Sequence, residues 1–224
     1  VDLAADFRCE DEIAERLRRR LDRHREPIAP FEHYGELFPD QEQALRAMLA
    51  AGHGGTFILT GMPGTGKTTA VRTVLPHFRV EHIRLCAPTG KAARRLTEQS
   101  GMRATTIHGL LEPRPVHGVA GDSNDQKAQK GAGMTFTFSR NETNPLGAGT
   151  DDEPGTPIDC VVVVEASMVD IYLFRSLLRA LPDSTYLLIV GDPNQLPSVG
   201  VGSVLRDLLR SGVVPHAELT TIKR

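Results

Sequence analysis

An octapeptide, Gly61-Met62-Pro63-Gly64-Thr65-Gly66-Lys67-Thr68, separates the apolar run TFILT at 56–60 from a segment with helical spacing. It is a complete G-x-x-x-x-G-K-[ST] pattern in the strand–loop–helix context that gives the pattern its chemistry. Glycines at Gly61, Gly64 and Gly66 let backbone N–H groups turn inward around phosphate oxygens. The following helix points its positive dipole end at the same oxygens. Lys67 is expected to reach the β- and γ-phosphates and the Thr68 hydroxyl to ligate Mg²⁺ directly, with Pro63, Thr65 and Thr69 completing the nucleotide site. The loop therefore predicts nucleoside triphosphate binding, but it does not choose among kinases, GTPases and motors. A GTPase needs a base-reading element of the N-K-x-D type, and none is present.

Four further segments make that choice: APTGKAARRL at 87–96, TTIHGLL at 105–111, EASMVD at 165–170 and VGDPNQLPSVG at 190–200. In this order and spacing they closely resemble the superfamily 1 DNA helicases, in particular the RecD-like branch that includes the exonuclease V alpha subunit. The resemblance covers almost the whole chain. It implies ATP and Mg²⁺ as cofactors and single-stranded DNA as a partner. Gln41, in DQEQAL, matches the Q motif, whose side-chain amide reads adenine N6 and N7; a surface glutamine on a helix is the alternative. Pro88, Thr89, Gly90 and Lys91 match motif Ia, and Thr106 and His108 match motif Ib, the two motifs that line the DNA track. Small residues with free N–H and hydroxyl donors suit close backbone contact. His108 reads equally as a structural histidine. Gln195 matches motif III, between the γ-phosphate and the track, after a strand at 185–190 that the resemblance places between the P-loop strand and the motif II strand. LTTIKR at the end of the sequence resembles motif IV and makes Arg224 the candidate γ-phosphate-sensing arginine; a disordered terminal arginine is the alternative.

Motif II departs from its family. The resemblance calls for Asp-Glu-Ala-Ser, the Asp supporting Mg²⁺ and the Glu polarising the attacking water, but the chain reads Val164-Glu165-Ala166-Ser167. Glu165 keeps its role and Val164 stands where the metal-linked carboxylate belongs. Asp159 is five residues upstream, and the same-face neighbour two positions back is Val162. Nucleotide binding is expected to survive and hydrolysis to slow, because losing a supporting metal partner costs about 10- to 100-fold.

These motifs need a scaffold that brings their loops to one edge. Apolar runs at 56–60, 82–87, 160–164 and 185–190 read as strands, and 67–75, 90–100, 169–180 and 202–210 read as helices. Alternating β and α with strands apolar on both faces predicts an α/β fold of the RecA-like P-loop NTPase type, a parallel sheet flanked by helices. Before it come an amphipathic helix at 10–25, with acids first and arginines last, and a linker broken by Pro27 and Pro30. The helix arginines read as a solvated face in preference to a phosphate contact. The division expected is 1–30 for helix and linker and 31–224 for the ATP-binding lobe. Within that lobe 112–157 forms an inserted flexible region, with MTFTFS at 134–139 pairing near 114–119 in a projecting hairpin. In the family such a hairpin separates the strands during 5′ to 3′ translocation.

Composition bounds the rest. With 224 residues, 26 Lys plus Arg and 28 Asp plus Glu, the chain has room for one sizeable domain and lacks the basic balance of small nucleic-acid-binding modules. A superfamily 1 motor needs two lobes, so a fragment is expected whose second motor lobe lies elsewhere, along with any recombination or repair subunits. No run approaches the ~18 apolar residues of a membrane span. Cys9, Cys86 and Cys160 lie far apart without a C-x-x-C pair, as reduced cytoplasmic thiols would. Two other classes stay open: a nucleotide- and DNA- or protein-binding module without turnover, which Val164 and the missing lobe favour, and a small-molecule kinase, for which motifs Ia, Ib and III would have no use.

Overall fold

The computed structural model describes residues 3–23, 25–30, 36–115, 136–149 and 154–222. Helix α1 (Leu3–Leu21) is followed by α2 (Pro39–Ala50), β1 (Thr56–Gly61), α3 (Lys67–Val74), β2 (Ile83–Ala87) and α4 (Gly90–Ser100). Next come β3 (Ala104–Thr106), the single turn α5 (Ile107–Leu110), β4 (Pro113–Pro115) and β5 (Phe136–Phe138). The chain continues through β6 (Cys160–Val163), α6 (Ile171–Ala180), β7 (Tyr186–Gly191), α7 (Val204–Ser211) and β8 (His216–Leu219). Six strands form one sheet in the order β3-β2-β6-β7-β1-β8, and every pairing within it is parallel. The strand expected between the P-loop and motif II strands is β7, and it lies there.

Side-chain alternation along the strands splits the core in two. Ile58, Val161, Val163, Leu187 and Ile189 face a layer built by α1, α6 and α7. Phe57, Leu59, Leu85, Val162, Leu188 and Val190 face α2, α3 and α4. Because both faces are covered, the strands read as unbroken apolar runs, and their positions were legible for that reason. Helix ends follow local chemistry: Thr89 Oγ1 accepts from Ala92 N at the start of α4, and Asp170 Oδ1 accepts from Leu173 N at the start of α6. Gly101, at φ +72, ends α4 in the left-handed region.

Three elements went unread in the sequence. β3 and α5 are too short to show a period, and β8, with the sequence His-Ala-Glu-Leu, is a largely exposed edge strand held by its parallel pairing with β1. Of the expected hairpin, the described residues show antiparallel pairing of Pro113–Pro115 with Phe136–Phe138. The rest of that expectation, including most of the 114–119 partner, falls outside the described residues.

Helix α1 corrects one expectation. Its Glu12/Arg16 and Glu15/Arg19 pairs do form on the helix, but Cys9, Ile13 and Leu17 enter the core and Arg20 is only 3% exposed. The Arg20 guanidinium donates to the carbonyls of Gly54, Pro182 and Thr185 and to Thr56 Oγ1. It locks the start of β1 to the turn before β7. The arginines are thus not uniformly a solvated face.

Candidate functional site: a phosphate cavity at the carboxyl edge of the sheet

The first turn after β1 is shaped by glycine. A Cβ on Gly61 would fall 2.7 Å from the Leu219 carbonyl oxygen and 2.7 Å from Thr65 Oγ1, so a side chain there would push β8 away or break the loop. Gly66, at φ +84, adopts a conformation that lets α3 begin directly at Lys67. Thr65 is 1% exposed and its hydroxyl donates to the Met62 carbonyl at 2.8 Å, which braces the loop from beneath. Lys67 Nζ donates to the carbonyls of Gly61 and Met62. Burial holds its ammonium below the ordinary 10.5, against the opposing pull of Asp192. An ammonium folded back onto its own loop is available to turn toward a phosphate.

A cavity of about 440 Å³ opens beside this loop. Pro63, Gly64, Gly66, Lys67 and Thr68 form one wall, and Val164, Glu165, Asp192 and Gln195, from the ends of β6 and β7, form another. The structure therefore brings together the loop, motif II and motif III. The cradle of small residues, one ammonium and a helix N-terminus matches a polyphosphate, and the hydroxyl and carboxylate oxygens of Thr68, Glu165 and Asp192 are the hard donors that suit Mg²⁺. Glu165 sits at φ +52, a left-handed turn that leads the chain out of β6 into a short 3₁₀ turn at 166–168.

Four expected nucleotide-site residues do not line the cavity. Gly61 and Thr65 shape the loop from beneath, and Thr69 lies on α3, where its carbonyl accepts from Thr73 Oγ1. Gln41 is wholly buried: its Oε1 accepts from Phe38 N at 3.2 Å and its Nε2 donates to the Thr65 carbonyl at 3.2 Å. With both ends of the amide bonded to protein backbone, Gln41 ties α2 to the phosphate loop. It is not the surface glutamine of the alternative. Neighbouring Asp40 accepts from Thr220 N at 2.9 Å and Thr221 N at 2.8 Å, so the peptide after β8 runs past the loop. Arg224, toward which that peptide leads, lies outside the described residues.

The expected DNA residues gather at the other end of the same edge. The β2–β3 pairing sets Ala87 beside Thr106, which places Pro88, Thr89, Gly90 and Lys91 next to motif Ib. Thr89 and Thr106 use their hydroxyl oxygens as helix caps, accepting from Ala92 N and Gly109 N; each hydroxyl keeps its proton to donate outward. His108 is half-buried against the hairpin, 6.1 Å from the Phe136 ring and 5.8 Å from that of Phe138. Burial lowers its imidazole below 6.5, opposed by Asp170. Polar cavity-lining residues missed in the sequence are Asp192, after β7, and Arg95 and Gln99 on α4; the last two are the clearest case. Their four-residue spacing puts both on one helix face, a signal that was present, but nothing in a one-dimensional reading aims that face at Thr68, whose Oγ1 lies 3.5 Å from Gln99 Oε1.

Val164 lines the cavity and packs against Ala87, Ala92 and Ala93. Its N–H donates to the Cys86 carbonyl at 2.9 Å, so the motif II register is that of an ordinary sheet with only the side chain changed. Asp159 is no substitute: it precedes β6 at the far edge, and its Oδ2 lies 3.1 Å from His82 Nδ1.

A parallel sheet with a glycine-rich phosphate loop at its carboxyl edge, and carboxylates from adjoining strands facing that loop, defines a P-loop nucleotide-binding domain of RecA-like fold. Residues 36–224 match the AAA domain family, and the chain belongs to that family. The RecBCD enzyme subunit RecD of Mycolicibacterium smegmatis is 35% identical over 217 residues, covering 85% of this chain and 34% of that protein. The ATP-dependent RecD2 DNA helicase of Deinococcus radiodurans is 37% identical over 186 residues, covering 82% of this chain and 21% of that one. The chain thus spans about a third or less of these curated relatives. A solved structure of Pif1 helicases at forked double-stranded DNA superposes with a TM-score of 0.51 at 18% identity, over 84% of this chain and 44% of the other. At that identity the likeness shows the fold alone.

Proposed function

We propose that the chain is the nucleotide-binding lobe of a RecD-like ATP-dependent DNA helicase, acting in the cytoplasm in recombination or repair. One observation carries this reading: the phosphate cavity and the Thr89–Thr106 surface lie on a single carboxyl edge, joined by β6 and β7 with Glu165 and Gln195 between them. Gly64, Gly66, Lys67 and Thr68 hold the triphosphate, and Thr68 ligates its Mg²⁺, which draws negative charge from the leaving group when bound. Glu165 orients the attacking water. Gln195 stands between phosphate and track, where it can report the state of the one to the other. Pro88, Thr89, Gly90, Lys91 and Thr106 contact the backbone of single-stranded DNA through N–H and hydroxyl groups. His108 seats the base of the hairpin that parts the strands. A second motor lobe closes over the nucleotide, and Arg224 contacts the γ-phosphate at that junction.

Val164 slows turnover in this proposal, since no carboxylate stands at the motif II position. That residue favours one rival, a module that binds nucleotide and DNA without productive turnover. ATP hydrolysis measured with and without single-stranded DNA, on this chain and on any longer product of its gene, separates them. DNA stimulation supports the motor, binding of both ligands without stimulation supports the module, and absence of any DNA effect or binding overturns both.

A further inference from the structure

The cavity contains one carboxylate to which the sequence assigned no role. Asp192 follows β7 directly, and the two pairings of β7 fix where it stands. On one side Val163 pairs with Ile189, so the strand end bearing Val164 runs beside Val190 and Gly191. On the other side Thr60 pairs with Gly191, so Asp192 emerges beside Gly61, the first residue of the phosphate loop. Asp192 therefore occupies the strand end between the motif II position and the loop. It lines the same cavity as Lys67, Thr68, Val164 and Glu165.

Its surroundings are those of a carboxylate held in place for a cation. The residue is 4% exposed. Its Oδ1 accepts from Asn194 N at 2.9 Å and its own carbonyl accepts from Gln195 N at 3.1 Å, which fixes the turn and the side chain together. Oδ2 has no hydrogen-bond partner among the described residues, and no basic side chain there forms an ion pair with it. Oδ2 is not among the fully buried unpartnered atoms, so a largely buried carboxylate keeps one oxygen accessible to a cation. Lys67, whose ammonium lines the same cavity, is turned to the Gly61 and Met62 carbonyls. Glu165 and Asp192 are the only carboxylates among the cavity-lining residues. Glu165 is needed at the water, so Asp192 is the one left over.

We propose that Asp192 supports the nucleotide-bound Mg²⁺ in place of the motif II aspartate, from the strand next to the one that normally supplies it. This rests on the nucleotide-binding reading above. A divalent cation held to the Thr68 hydroxyl and the nucleotide phosphates accepts a carboxylate oxygen, directly or through a bound water, and Oδ2 is the oxygen available to provide it.

The test uses a fluorescent ADP analogue, so that no turnover is involved, titrated into the whole chain in excess Mg²⁺ and again in EDTA. The ratio of the two affinities reads the metal's contribution. Asp192→Asn keeps the acceptor for Asn194 N–H and is expected to cut that ratio by about 10- to 100-fold while leaving the EDTA affinity unchanged. Val164→Asp is expected to restore the ratio in the Asp192→Asn background and to add less in the unaltered chain, a non-additivity expected when two groups serve one ion. Asp159→Asn, far from the cavity, leaves both affinities unchanged. If Asp192→Asn does not stay folded, Asp192→Ser, whose hydroxyl also accepts from Asn194 N–H, is read in its place. An unchanged ratio overturns the proposal. So does an equal loss in EDTA, which would make Asp192 a support for Lys67 or the loop. If the unaltered chain binds no ADP analogue in either condition, the nucleotide reading fails and this inference with it. That outcome is distinct from an Asp192 variant that binds nucleotide with full metal dependence.

Discussion

Replacing Val164 by Asp has two effects of opposite sign, and their separation tests the reading of the site. Val164 is half-buried on Ala87, Ala92 and Ala93; removing its methyl groups forfeits about 1 kcal/mol of apolar burial. The new carboxylate enters a cavity that already holds Glu165 and Asp192, and without a cation this like-charge crowding brings the total cost to about 1–3 kcal/mol. The backbone is not at risk, because the Val164 N–H to Cys86 carbonyl bond does not depend on the side chain. For a chain of this size the loss lowers the melting temperature by about 2–4 °C per kcal/mol. With Mg²⁺ and nucleotide present, the restored partner returns metal-dependent affinity or rate, at most the about 10- to 100-fold (about 1.4–2.7 kcal/mol) that such a partner is worth and less than that while Asp192 serves the same ion. The substituted protein should thus melt lower than the parent when empty, gain more from Mg²⁺ and ADP, and release phosphate faster in the presence of single-stranded DNA. Thermal denaturation with and without ligand, paired with a phosphate-release assay, gives all three readings. Equal turnover in parent and Val164→Asp proteins, or an identical ligand-induced shift in both, would refute the assignment of this position to the metal.

Four other expectations follow from named contacts. Arg20→Ala strips donors from the Gly54, Pro182 and Thr185 carbonyls and should cost about 3 kcal/mol or more in urea denaturation; a loss within experimental error would mean that water replaces the guanidinium. Gln41→Ala should destabilise the chain by about 1–3 kcal/mol and weaken ATP and GTP binding alike, whereas selective loss of ATP binding would return the residue to base reading. For Glu12, burial alone would raise the carboxyl, but the hydrogen bonds and charges of Arg179 and Arg16 together hold it below 4.5. Its folded-state pKa being depressed, the stability it contributes is present above the unfolded value and lost as pH falls through the folded one, and Glu12→Gln should flatten the acid limb of a stability–pH profile. Burial pushes the thiol of Cys9 up to about 11, that of Cys86 to about 12 and that of Cys160 higher still, so a thiol reagent at pH 8 should label none of the three until denaturant is added.

Where residues were legible in the sequence, a local rule was at work. The phosphate loop announced itself because glycines at fixed offsets before Lys-Thr have few other uses, and the four apolar strands because burial on both faces leaves no polar positions to interrupt them. The motif II departure was visible as one missing carboxylate in an otherwise regular segment. The residues whose packing the sequence did not show share a different property. Gln41 and Arg20 are polar side chains bonded to backbone groups distant along the chain, the Thr65 carbonyl for Gln41 and three carbonyls from two turns for Arg20, and Asp192 shares a cavity with the phosphate loop through strand register.

The amino-acid order by itself determined that this chain makes a parallel α/β sheet, that a P-loop starts its third helix, and that Val164 interrupts motif II, because each of these is written in spacing along one segment. Only the tertiary structure decided the neighbours. The place of β7 between β1 and β6 was implied by the family resemblance, but only the register of its two pairings carries Asp192 to the side of the phosphate loop, and only the packing before β6 leaves Asp159 at the opposite edge with His82. Hydrogen-bonded register converts positions far apart in sequence into contacts a few ångströms wide, and ligand chemistry depends on those contacts.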